Sequence, residues 1–146
     1  MNESENESHV FLAVFDFGPD ASVVTSLLGF APTSAWLAGD PLPNHPTARR
    51  MHSRWSFHSP LPLHAHAAEH LEALLTLLEP HAGGIRECAA RFSMQLSCAI
   101  YYRDFSPGIY LSASVLQRIT ALDIPLDFDL YFLGDDANSN ATGNAS

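Results

Sequence analysis

The sequence predicts an α+β fold: a two-layer sandwich in which helices cover one face of a mostly antiparallel sheet. Three observations carry this expectation. Leu126, Phe128, Leu130 and Phe132 alternate with Asp127, Asp129 and Tyr131, the period-two pattern of a strand with one apolar and one polar side. Ala67, Leu71, Leu74, Leu75 and Leu78 recur at helical spacing, with Glu69, Glu72 and Thr76 on the opposite side. Helical and strand patterns interleave along the chain, and its half-polar strands suit a sheet covered on one face only.

The chain has 146 residues, 47% of them hydrophobic, enough for one domain with its own core. Residues 1–8 are acidic and polar and are expected to be disordered; residues 9–133 form the single domain; residues 134–146, rich in Asn, Ser, Ala and Gly, form a disordered tail.

The segment from His9 to Phe17 is β-branched, aromatic and apolar on both alternating sides, which predicts an interior strand. Gly18, Pro19 and Asp20 end it. Ala21 to Leu28 then forms a short helix with Gly29 at its C-terminal cap. From Phe30 to Pro62 the chain is Pro-rich and poorly periodic, so a long loop is expected, with short extended pieces at Ser34 to Leu37 and Arg54 to His58. Leu63 opens the longest helix. Pro80 and the Gly83-Gly84 pair are expected to divide it into helices at about Leu63 to Glu79 and Ile85 to Arg91. Phe92 to Tyr102 reads as a strand with Met94, Leu96, Cys98, Ile100 and Tyr102 on one side. A short extended piece at Ile109 to Leu111 follows, then a helix capped by Ser112 or Ser114, then the final strand opened by Pro125.

Charge and composition exclude several functions. The formal charge is −9, and all seven cations are Arg. Phosphate binding needs clustered basic side chains, and only Arg49, Arg50 and Arg54 sit together, so nucleic acid is not an expected partner. No run approaches the roughly 18 apolar residues of a membrane span, and the N-terminus lacks the character of a signal peptide. A cytoplasmic location is expected. Cys88 and Cys98 each keep phase with apolar neighbours, which predicts buried free thiols and suits a reducing compartment.

Several residue groups invite a chemical reading. His66-Ala-Ala-Glu69-His70 places two histidines one helical turn apart, as in a zinc hydrolase with Glu69 as base. Such a centre also needs a third ligand, for which only Glu79 and Glu87 are loosely eligible, so a solvent-facing helix side is the favoured reading. Asp127 and Asp129 project from one side of a strand about 7 Å apart and could hold a cation or divide acid and base roles. Arg49, Arg50 and Arg54 beside Trp55 could clamp an anionic or aromatic ligand. No Gly-rich phosphate loop and no nucleophile elbow is present, so neither a cofactor nor a catalytic residue is assigned.

The order of several short motifs carries a family resemblance. These are LLGFAPT at Leu27 to Thr33, SAWLAGD at Ser34 to Asp40, RWSFHS at Arg54 to Ser59, LLTLLEP at Leu74 to Pro80, and the stretch from Gly108 to Phe132. Together they resemble the bacterial domain of unknown function family 4279, over roughly Val10 to Leu133. That family brings no established activity. The resemblance does make Trp36, Gly39, Asp40 and Trp55 look like family features, while the His66 and His70 pair looks particular to this chain.

The expectation from sequence is therefore a non-enzymatic module that binds a protein partner through its open sheet face and the Trp36 to Trp55 segment, with an antitoxin or immunity role as one specialisation. Its candidate binding residues are Trp36, Gly39, Asp40, Arg54, Trp55, Asp127 and Asp129. A metal-dependent hydrolase and a sensor of small anions are the alternatives. Monomer and homodimer are both allowed, since an open sheet can pair with a second copy.

Overall fold

The structure is a computed structural model that describes residues 6–103 and 107–134. Five strands form one sheet in the order β2-β3-β1-β4-β5, where β1 is Glu7–Phe15, β2 Ser34–Trp36, β3 Arg54–His58, β4 Ser93–Tyr102 and β5 Leu126–Phe132. β1 pairs antiparallel with both β3 and β4, and β2 pairs antiparallel with β3. Only β5 runs parallel to its neighbour, β4. The fold is α+β with a mostly antiparallel sheet, as the alternation predicts.

β1 takes the centre because it is apolar on both sides, so burial against either layer favours it. Val10, Leu12 and Val14 point to the helical layer, where they meet Met94, Leu96 and Cys98 of β4. The covering helices are α1 (Ser22–Leu28), α2 (Ala67–Leu78), α3 (Ala82–Arg91) and α4 (Ala113–Ala121). Leu71, Leu74, Leu75 and Leu78 of α2 are fully buried, each stabilising the fold by roughly 1.5–3 kcal/mol. Gly29 ends α1 at φ 89°, the left-handed conformation that glycine enters without a Cβ penalty. Ser112 caps α4, its Oγ accepting from the Val115 N–H at 3.1 Å.

Several boundaries differ from the sequence reading. Glu7 and Ser8 belong to β1, not to a disordered segment, because their backbone pairs with Tyr101 and Ile100 and the Ser8 N–H donates to the Leu63 carbonyl. Residues 1–5 and 135–146, also expected to be disordered, lie outside the described residues. Gly134, placed in that tail, is buried and its carbonyl accepts from Arg103 at 2.9 Å. α2 begins at Ala67, since His66 is its N-terminal cap and the preceding residues form turns. Pro80 lies in a 3-10 turn, Glu79–His81, that joins α2 to α3. The glycine pair does not interrupt α3 but lies inside its first turn. Residues 109–111 form no strand. No helix among the described residues is long and apolar enough to cross a membrane.

Candidate functional site

The face of the sheet turned away from the helices carries the odd-numbered residues of β1, β4 and β5 and the even-numbered residues of β2 and β3. Strand register arranges them in rows. Trp36, Arg54, Phe15 and Ser93 form the first; Ser34, Ser56, Ala13 and Gln95 the second; His58, Phe11, Ser97 and Asp127 the third. Further along lie His9, Ala99 and Asp129, then Glu7, Tyr101 and Tyr131.

At one corner of this face the guanidiniums of Arg50 and Arg54 both lie over the indole of Trp36, their Cζ atoms 3.6 and 4.3 Å from the ring centroid. Arg54 also lies 4.7 Å from the ring of Phe11, which stacks on His58 at 4.7 Å. These cation–π contacts hold two like charges close together, each worth about 0.5–2 kcal/mol according to how far it is desolvated. No carboxylate lies within ion-pair distance of Arg49, Arg50 or Arg54 among the described residues. The Nε atoms of Arg50 and Arg54 are buried without a hydrogen-bond partner. Burial and, after it, the nearby Arg50 charge lower the pKa of Arg54 from the ordinary arginine value. Burial, then Arg54, then His9 likewise push the His58 imidazole below the ordinary histidine value.

The long loop between β2 and β3 supplies Arg50. Gly39 adopts φ 93° in a turn that Asp40 fixes, its Oδ2 accepting from the Leu37 N–H at 2.8 Å and its carbonyl from the Arg50 N–H at 2.7 Å. Trp36 is tied to the same loop, since its Nε1–H donates to the His52 carbonyl at 3.1 Å. The loop and sheet edge border a wide, open pocket of about 410 Å³, lined by Phe15, Trp36, Arg49, Arg50, Met51 and Arg54 among others. Gly39 and Asp40 therefore shape the turn that presents Arg50 and are not among the residues that line the pocket.

Asp127 and Asp129 lie at the opposite corner of the same face, opposite Ser97 and Ala99. Tyr131 stacks on Tyr101 at 4.8 Å, and the Asp129 charge raises its pKa above the ordinary tyrosine value. Among the described residues, no group of three or more His, Cys, Asp or Glu could hold a metal ion.

Trp55 does not join these residues. It points into the helical layer, fully buried, with its Nε1–H donating to Thr25 Oγ1 at 3.0 Å and its ring edge-on to Phe30. It sits on a strand whose alternate residues face opposite ways, so Arg54 is on the open face and Trp55 is in the core. Its place among the binding residues is therefore corrected to a core position. Of the histidine pair, His70 is 1% exposed and His66 is exposed, and among the described residues no third His, Cys, Asp or Glu joins them in a group that could hold a metal ion; His70 lies in the fold's interior. Its Nδ1 lies 2.7 Å from Ser59 Oγ, and Glu69 Oε1 accepts from the His66 N–H at 3.0 Å, so the motif serves to start α2 and anchor the preceding loop. The expectation of a solvent-facing helix side fails at His70, which burial holds below the ordinary histidine pKa. The two cysteines are buried free thiols, with desolvation raising Cys88 to about 11 and Cys98 to about 12.

Phe11, Phe15 and His58 were not singled out from sequence as part of a site. Their signal was present, since Phe11 and Phe15 share the phase of β1 that faces away from Val10, Leu12 and Val14. A family model, Domain of unknown function (DUF4279), matches residues 6–133. The chain belongs to this family. DUF4279 carries no assigned activity in its description, and no curated protein and no solved structure matches the chain.

Proposed function

We propose that this DUF4279 chain is a binding module that takes carboxylate groups of a protein partner at the Trp36, Arg50 and Arg54 corner of its open sheet face. One observation carries the reading: two guanidiniums share a single indole, with buried Nε atoms unpartnered and no carboxylate in ion-pair range among the described residues. Holding two cations together costs Coulomb energy that an incoming anion relieves. A planar carboxylate can accept two parallel N–H bonds from a guanidinium, a geometry that lysine does not offer. The adjacent Met51 is 84% exposed and adds an adaptable apolar contact of the kind common at binding surfaces.

The test uses an oligoglutamate peptide as probe. Trp36 is half-buried and reports on the corner, while Trp55 is sealed in the core and should not respond. Titration should perturb tryptophan emission in wild type, weaken as salt rises, and lose at least about tenfold in affinity in Arg50→Gln/Arg54→Gln. Emission unchanged by the peptide at low ionic strength would overturn the reading. A second reading, a sensor of small anions, is favoured by the pocket beside the same arginines. Benzoate binding as tightly as the peptide would favour it.

A further inference from the structure

The open face carries its two charge clusters at opposite ends of one diagonal. Arg54 lies in the row of Phe15 and Ser93, and Asp129 lies opposite Ala99, six residues further along β4 and three strands across. At about 3.3 Å per residue and 4.8 Å per strand, the diagonal spans roughly 25 Å. That is about three Debye lengths at physiological salt, so the clusters do not neutralise each other within one chain. Between them the face is low, with Ala13 fully buried beneath its neighbours, Ser97 nearly so, and Ala99 small.

Resting on the carboxylate-binding reading above, we infer that the occupant of the Trp36, Arg50 and Arg54 corner is the Asp127 and Asp129 corner of a second copy of this chain. A two-fold axis lying between two facing sheets, perpendicular to the diagonal, sets each cationic corner on the other copy's acidic corner. The interface is isologous, so the same contact forms twice. Two facing sheets pack about 10 Å apart, a distance that the small Ala13 and Ser97 on the diagonal permit between the flanking Phe11 and Gln95, and that the arginines reach across to the shorter aspartates. Tyr131, 45% exposed and stacked on Tyr101, supplies aromatic area beside the acidic corner.

The charge pattern makes the test reciprocal. Full-length wild type should run as a dimer in sedimentation velocity at low salt and dissociate as salt rises or oligoglutamate is added. Arg50→Glu/Arg54→Glu and Asp127→Arg/Asp129→Arg should each be monomeric, with circular dichroism verifying that each is folded. An equimolar mixture of the two should recover the dimer mass, because the reversed corners match each other and the untouched corners keep their native pairing. A monomeric wild type at every concentration, dimers in either variant alone, or a mixture that stays monomeric would overturn the inference. A monomeric wild type that still binds oligoglutamate through Arg50 and Arg54 would overturn self-association alone and leave the carboxylate-binding reading standing.

Discussion

Adjacent glycines in the first turn of α3 should respond to the same substitution with opposite signs. Gly83 is exposed, and a Cβ built on it meets nothing within 4 Å. Gly83→Ala therefore gains only the reduced backbone entropy of the unfolded chain and better helix propensity, about 0.5–1 kcal/mol. Gly84 faces the end of α1. A Cβ there would collide with the Leu27 carbonyl oxygen and come within 3.3 Å of Leu28 Cα. These are backbone atoms of a packed helix, so relief requires α1 to move, loosening Val24 and Leu28, both buried in the core. Overpacking of this kind costs about 3 kcal/mol, against which the same propensity gain of about 1 leaves Gly84→Ala destabilised by roughly 2. At about 4 °C per kcal/mol for a domain of this size, the two variants should melt roughly 10 °C apart, with Gly83→Ala above wild type and Gly84→Ala below. Urea denaturation with unchanged m-values would measure the same difference. If Gly84→Ala matched or exceeded wild-type stability, the close approach of α1 and α3 would be refuted as the reason for that glycine.

Other consequences can be checked with similar economy. Burial holds His70 and His58 below the ordinary value of 6.5, so the unfolded chain takes up protons that the fold refuses. Stability should be full above about pH 6.5 and decline as pH falls below it, with a shallower slope in His70→Gln; a pH-independent melting temperature between pH 7.5 and 5.5 would refute this. Trp55→Ala should cost about 3–5 kcal/mol in denaturant titration, whereas Trp36→Ala, which loses two cation–π contacts and one hydrogen bond but little buried area, should cost about 1–2, an order that reverses if Trp55 were a surface residue. Both thiols should resist a thiol reagent at neutral pH until the chain is unfolded, when both should react.

Periodicity made much of this fold legible. The alternation in β4 and the leucine spacing of α2 gave both elements and faces, because each is a local pattern that burial on one side imposes; the alternation in β5 gave the strand but not a buried side, since Leu130 and Phe132 are 48% and 63% exposed. The parallel pairing of β5 with β4 was not legible, since nothing in a strand's own residues records its neighbour's direction. The glycine pair was read as a break because conformational freedom is visible in sequence, whereas the need for a side-chain-free surface against Leu27 is a property of two helices together. At the site, Arg50, Arg54 and Trp36 could be nominated by type. Trp55 could not be sorted from Trp36, because doing so requires knowing that Arg54–His58 is a strand with one residue in the core and the next outside it. His70 misled for a related reason: polarity suggested solvent, while the loop around the half-buried Ser59 provides a partner for Nδ1 and leaves Nε2 buried without one.

The central position of β1 has a consequence for how the chain is made. Its neighbours in the sheet are β3 and β4, both synthesised well after it. During translation the apolar run from Val10 to Phe15 therefore leaves the ribosome with neither edge paired and cannot be enclosed until residues near Tyr102 have followed. A stretch of that composition is prone to intermolecular strand pairing while it waits. Premature termination anywhere between β1 and β4 would leave a fragment with that hazard and no means of covering it, so yields of soluble truncations should fall abruptly when β4 is lost.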